Sequence, residues 1–346
     1  MLKFAFLNRV QYQHRDQDMS TTKNYKESPK ELNLLKSPIL DEVIGQIKAT
    51  PNSGKLDITS TIGISNSVIK YDVLTFRDNG VLILEAVDAE FIAIAIKRLV
   101  LDFTNPYQKA YITRPVGLTE DTLVEKLAGA TGRNGVNGRD GSGEVNRQGN
   151  PGEAGESGHD GLPGETLILP YLYIFVQEIT FGAAIEPGRQ YIDINYSGFT
   201  GGNGGDGGKG GNGGRGANGK EGATSGFDCK GRAGHGGRGG DAGQGGQGGT
   251  GSMGGRMLLF APDKHTFDFV NGIIEGGEPG RPGRGGNPGI PGRGGFGGSR
   301  NGWCGPGGKG VDGRYADPPS LGEGLPGSQG ARGQQIIQSR NNSDLF

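Results

Sequence analysis

Cysteine is nearly absent from this chain of 346 residues: Cys229 and Cys304 are the only two. That number cannot supply the disulfide framework on which small secreted folds depend. Apolar residues are scarce as well, at 32% with 7% aromatic and a single tryptophan, against about 45–50% apolar in globular domains. An enzyme-sized hydrophobic core is therefore not expected through the whole length. No apolar run approaches the ~20 residues of a membrane span. Neither sign of charge is in excess, since 36 Lys and Arg stand against 37 Asp and Glu. Without a basic stripe to displace counterions from phosphates, no nucleic-acid partner is expected.

Chemistry-bearing groupings are missing too. The four histidines, His14, His159, His235 and His265, fall in separate segments, and no Ser/His/Asp or Cys/His arrangement or four-ligand metal cluster accompanies them. Lys209 and Lys220 are followed by Gly210 and Glu221, so the phosphate-cradling GxxxxGK[ST] pattern is absent. GxGxxG matches are frequent but uninformative in so glycine-rich a text. The reading is a non-enzyme with no catalytic, cofactor-binding or metal residues and no cofactor. The start, MLKFAFLNRVQYQHRDQD, lacks the long apolar core and cleavage site of a secretory signal, and a cytoplasmic protein is expected.

Glycine is what the chain has. Of 72 glycines, five precede Gly129 and none follows Gly333, so 67 lie in the 205 residues from 129 to 333. That third is a collagen-like fraction, but only 13 prolines share the stretch, far below the ~15–20% of a collagen. The glycines keep a period of three, for example at 198, 201, 204, 207, 210, 213, 216, 219 and 222. Three residues per turn is the polyproline-II repeat, which has no internal hydrogen bonds and must find neighbours or water for its backbone. In block 198–222 a second edge is also nearly all glycine, whereas the third reads Asn203, Asp206, Lys209, Asn212, Arg215, Asn218, Glu221. In block 277–298 that second edge carries Pro279, Pro282, Pro288 and Pro291. Two bare edges suit a helix with neighbours on two sides and solvent on the third. The arrangement favoured is a bundle folded from one chain, with a three-chain collagen helix and flexible low complexity as alternatives.

Four regions follow. Residues 1–37 read as a polar N-terminal arm, and 38–128 as a β-rich domain with short helices at 39–48 and 119–128. Residues 129–333 read as the glycine-triplet region, with inserted strands at 166–181, 191–199 and 257–274, and 334–346 as a C-terminal tail. The Asn79-Gly80 pair between apolar segments is a turn signal. The expected fold class is mainly β and irregular: an N-terminal β-rich, solenoid-like domain followed by a single-chain bundle of polyglycine-II helices interleaved with short strands. Aligning 191–194 with 266–269 gives an internal offset of 75 residues, which also carries Cys229 onto Cys304. Stacked repeats lie ~4.8 Å apart, so the two cysteines are a candidate disulfide, with two reduced thiols the alternative. Ile290, Phe296, Trp303 and Tyr315 stand out on or beside the last long block as a candidate interaction surface.

The stretch YLYIFVQEITF, GRQYIDINYSGFTGGNGGDGGKGGNGGRG, FDCKG and GWCGPGG resembles bacterial glycine-rich collagen-like proteins. Its alternation of short strands with GGX runs is similar to the polyglycine-II bundle adhesins at phage long-tail-fibre tips. The resemblance covers about 165–315 and rests on repeat style. It implies a structural or interaction protein that binds a protein partner or itself. Read as a tip adhesin, it would bind a cell-surface receptor and sit in a virion tail fibre; read as a bacterial protein, it would be one component of a multi-protein system.

Overall fold

A computed structural model describes residues 38–145, 148–182, 186, 188–221, 231–299, 305–316 and 322–346. The chain divides into two compact units, Met1–Asp41 and Glu42–Phe346. Of the first, only the opening of helix α1 (Pro38–Ala49) is described. In the second, the remainder of α1 buries Val43 and Ile47.

Thirteen strands follow among the described residues, and eleven of them make two parallel sheets. The first sheet has six strands in the order β1 (Lys55–Ile58), β3 (Val68–Arg77), β5 (Phe91–Asp102), β9 (Tyr171–Phe181), β11 (Arg256–Ala261) and β13 (Gln334–Ser339). The second has five, in the order β12 (Val270–Ile273), β10 (Ile192–Asn195), β6 (Ala110–Thr113), β4 (Val81–Leu84) and β2 (Thr61–Ile64). A two-stranded antiparallel pair, β7 (Glu144–Val145) and β8 (Gln148–Gly149), stands apart, and α2 (Leu118–Lys126) follows β6. Inward side chains of both sheets form one apolar core, with Ile94, Ile174 and Leu259 from the first and Leu82, Ile112 and Ile194 from the second. The continuous apolar runs of β5 and β9 belong to strands covered on both faces, the usual reason that parallel strands lose alternation.

This overturns the fold class expected from the sequence. There is no N-terminal solenoid-like β domain followed by a separate polyglycine-II bundle, because strands β9 to β12 from the glycine-rich region, and β13 just beyond it, join the same two sheets as β1 to β6. The architecture is one of two parallel sheets with two α-helices among the described residues. Periodicity reports local backbone shape, whereas lateral strand pairing joins residues far apart in the chain, such as Phe91 with Tyr171, 80 positions on, and leaves no local mark. The same limit applies to Asn79-Gly80. Asp78 and Asn79 do adopt positive φ, but the turn sends β3 and β4 into different sheets instead of pairing them as a hairpin. Residues 334–346 are no loose tail: 334–339 form β13, and the buried Asn342 donates from Nδ2 to the carbonyls of Val176 and Phe260, both at 2.9 Å.

The triplet segments extend these sheets. Taken in order they cover 129–141, 149–164, 198–219, 231–255, 276–298, 307–313 and 324–333. The first, third and fifth run parallel, with Gly135 N donating to Lys209 O at 2.7 Å and Gly207 N to Arg284 O at 2.7 Å. The second, fourth, sixth and seventh form a second parallel layer, antiparallel to the first, as in Gly240 N to Gly211 O at 2.7 Å. Glycine is required here for close approach: a Cβ built on Gly211 would stand inside the van der Waals shell of the Val136 carbonyl oxygen. The third segment continues from β10, and the fourth runs into β11.

The internal offset needs correcting. β10 pairs β12 at 78 residues, Ile192 opposite Val270, and Lys264–Phe267 is a 3-10 turn, not the strand equivalent to 191–194. Both 75 and 78 are multiples of three, so glycine phase cannot tell them apart. An offset of 75 does hold between the first and third segments, where Lys209 N donates to Asn134 Oδ1 at 2.8 Å.

Candidate interaction surface

In each triplet of the third segment one glycine N–H bonds to the fifth segment and another to the second. The third residue projects outward with a main-chain N–H unused by that pattern. Asn and Asp side chains of the neighbouring parallel segment meet it. Asn137 Oδ1 accepts from Asn212 N at 2.8 Å, Asp206 Oδ1 from Arg284 N at 2.8 Å, and Asn212 Oδ1 from Ile290 N at 2.9 Å. Asn218 Oδ1 accepts from Phe296 N at 2.9 Å. The outcome is a ladder across the first, third and fifth segments that fixes each outward side chain in register.

Ile290 and Phe296 sit on this face, two triplets apart, 64% and 60% exposed. Arg215 of the third segment lays its guanidinium 5.3 Å from the Phe296 ring centroid, a cation–π geometry worth about 0.5–1 kcal/mol at an exposed site. Arg281, Arg284 and Arg293 share the column with Ile290 and Phe296, and Asp206 and Lys209 lie on the adjacent one; all are exposed. Tyr315, 73% exposed, lies just past the sixth segment, in the other layer. The structure therefore brings Ile290 and Phe296 onto one face and leaves Tyr315 off it. Trp303, Cys229 and Cys304 lie outside the described residues, and with them the candidate disulfide.

The edges are less receptive. In the fifth segment the glycines at 277, 280 and 283 donate to the fourth segment, and the carbonyls of Glu278, Arg281 and Arg284 accept from the third. The remaining positions carry Pro279, Pro282, Pro288 and Pro291, which have no N–H to offer a further strand, together with Gly285, Gly294 and Gly297, of which Gly294 N donates to Asp312 Oδ1 at 2.8 Å. At the opposite side Arg133, Val136 and Arg139 of the first segment and Glu153, Glu156 and His159 of the second are exposed. Side chains there hold another backbone away.

Sequence reasoning missed the residue that ties this face to the sheets. Arg114, directly after β6, is buried. Its Nε donates to Ser197 O at 2.5 Å and its Nη2 to Gly198 O at 3.1 Å, at the start of the third segment. Its Nη1 pairs with Glu120 of α2 at 2.9 Å, and the guanidinium lies 4.2 Å from the Phe199 ring centroid. An arginine before Pro115 carries no sequence signal for such a role: beside the local Glu120 and the Pro115 carbonyl, its partners Ser197, Gly198 and Phe199 come from more than 80 residues away.

Chemistry is sparse on both layers. His235 Nδ1 accepts from Val311 N at 3.0 Å, His265 pairs with Asp268 at 3.0 Å, and no group of three or more His, Cys, Asp or Glu suited to a metal ion occurs among the described residues. Burial pushes the Tyr173 phenol up to about 12 and raises that of Tyr196, whose hydroxyl donates to Pro170 O at 2.9 Å. Among the described residues, no helix is long and apolar enough to cross a membrane.

No family model and no curated protein matches the chain. Among solved structures, the nine polyproline type II helical bundle springtail antifreeze protein from Granisotoma rainieri is 21% identical over 53% of this chain and 96% of that one, with a TM-score of 0.07. At that score the likeness carries no argument about fold or function.

Proposed function

We propose that the protein is a non-enzymatic structural or interaction protein that uses the laddered face of its first, third and fifth triplet segments to bind a protein partner or a second copy of itself. The observation that carries this reading is the pair Ile290 and Phe296: two exposed apolar side chains whose own N–H groups are held by Asn212 and Asn218. Fixing side chains in advance lowers the ordering cost of association, and an aromatic with an arginine over its ring is the composition of an interface anchor. The proline-lined edge favours association through the face, since it offers few backbone donors for lateral growth.

The test places a photoreactive side chain at position 296, and at position 136 as an edge control, in the full chain within its native cell. Crosslinks from 296 to a second copy or to one defined protein, lost in Ile290→Asp, support the reading. An absence of crosslinks from 296, or equal crosslinking from 136, contradicts it.

A further inference from the structure

A second feature lies on the other layer, where the second and fourth segments run into β9 and β11. Thr166, Ile168, Leu169, Tyr171, Met253 and Arg256 line a cleft of about 300 Å³. Ile168 is 82% exposed, and Met253 is exposed beside it. Arg256 is the charged group in this lining. Its Nη1 donates to the Tyr171 hydroxyl at 2.7 Å, and its guanidinium lies 5.5 Å from the Tyr171 ring centroid. Its Nε is buried with no hydrogen-bond partner, and among the described residues no carboxylate pairs with it.

A part-buried cation that lacks a counter-charge and has an orphaned donor is costly unless something completes it. With Nη1 engaged by Tyr171, the Nε–Nη2 edge remains, and that edge matches the two oxygens of a carboxylate. The apolar residues beside it suit an aliphatic body, and the volume sits at the low end of small-molecule sites, which begin at roughly 300 Å³. We infer that this cleft binds a small amphipathic carboxylate, with the carboxylate on the Nε–Nη2 edge of Arg256 and the aliphatic group against Ile168, Leu169 and Met253. The site is independent of the laddered face.

Methyl NMR of the full chain, following Met253 and Ile168, tests it with hexanoate, with hexylammonium as the charge-reversed control, and with the tripeptide Gly-Gly-Leu against its C-terminal amide. Saturable shifts with hexanoate and none with hexylammonium are expected. Gly-Gly-Leu binding while its amide does not would place the carboxylate at the end of a peptide; binding of hexanoate alone would make it a free acid. Arg256→Met should weaken hexanoate at least tenfold, and Tyr171→Phe, which keeps the guanidinium, should retain binding. Equal shifts with hexanoate and hexylammonium, or none with either, would overturn the inference, and this contrast decides the matter even if Arg256→Met fails to fold.

Discussion

Asp206 Oδ1 accepts the main-chain N–H of Arg284 at 2.8 Å, across the gap between two triplet segments 78 residues apart in sequence. The glycine N–H groups of those segments are already bonded, so this contact serves the one amide per triplet that the backbone pattern does not use. Asp206→Asn keeps the acceptor and should leave stability unchanged. Asp206→Leu removes it and should cost about 0.5–1 kcal/mol, the lower part of the range for a hydrogen bond, because the exposed amide can turn to water. Chemical denaturation of the two variants in parallel checks the difference.

Two glycine substitutions should act in opposite directions. Gly211→Ala would drive a Cβ into the Val136 carbonyl, and Gly211 also accepts from Gly240 N. Backbone cannot yield as a side chain can, so a loss of roughly 3 kcal/mol or more is expected. Gly45→Ala lies in α1, exposed and with nothing within 4 Å of the new Cβ. It should stabilise by about 0.5–1 kcal/mol through helix propensity. Thermal melts of both variants against the parent read the signs directly.

Arg114 joins β6, α2 and the entrance to the third segment through Ser197, Gly198, Glu120 and Phe199. Arg114→Leu strands Glu120 and three carbonyls and should cost about 3 kcal/mol, the low end for losing one member of a buried pair, since Glu120 is only part-buried. Arg114→Lys should recover only part of this, since one ammonium cannot reproduce the fork geometry. Denaturant midpoints of the two variants measure it.

The C-terminal end responds to acid. The hydrogen bond from Lys48 holds the Asp344 carboxyl below its ordinary value of 3.8, with Arg340 adding to the effect. A depressed folded-state value means that the contact contributes fully above the ordinary carboxylate range. Its contribution is lost as pH falls from about 3.8 through the lower folded value. Asp344→Asn should flatten that acid limb and leave neutral-pH behaviour close to the parent, since the pair is exposed and screened. Hydrogen exchange in Ser343–Leu345, followed from pH 5 to pH 2, reports the release.

Individual strands were legible in the sequence because apolar runs such as FIAIAIKRLVLD have a local cause. Their membership of two shared sheets was not, because pairing of Ile94 with Ile174 depends on what the intervening 80 residues do. The triplet phase was legible, but its offset was misassigned between β10 and β12, where one added triplet leaves glycine in step. Ile290 and Phe296 were visible as apolar residues interrupting a polar edge. Arg114 and Arg256 were not, since an arginine's partners are tertiary and nothing adjacent in sequence announces them.

Rigid register of the triplet layers is the premise on which the laddered face depends, and amide hydrogen exchange resolved by residue tests it most directly. Gly237, Gly240, Gly243 and Gly246 donate to Gly214, Gly211, Gly208 and Gly205. Their amides should exchange slowly and together, at rates set by opening of the layers, while the amides of the exposed His235 and Gln247 exchange much faster. A period-three alternation of protection along 231–249 is the expected result. Uniformly rapid exchange through that segment would contradict the account.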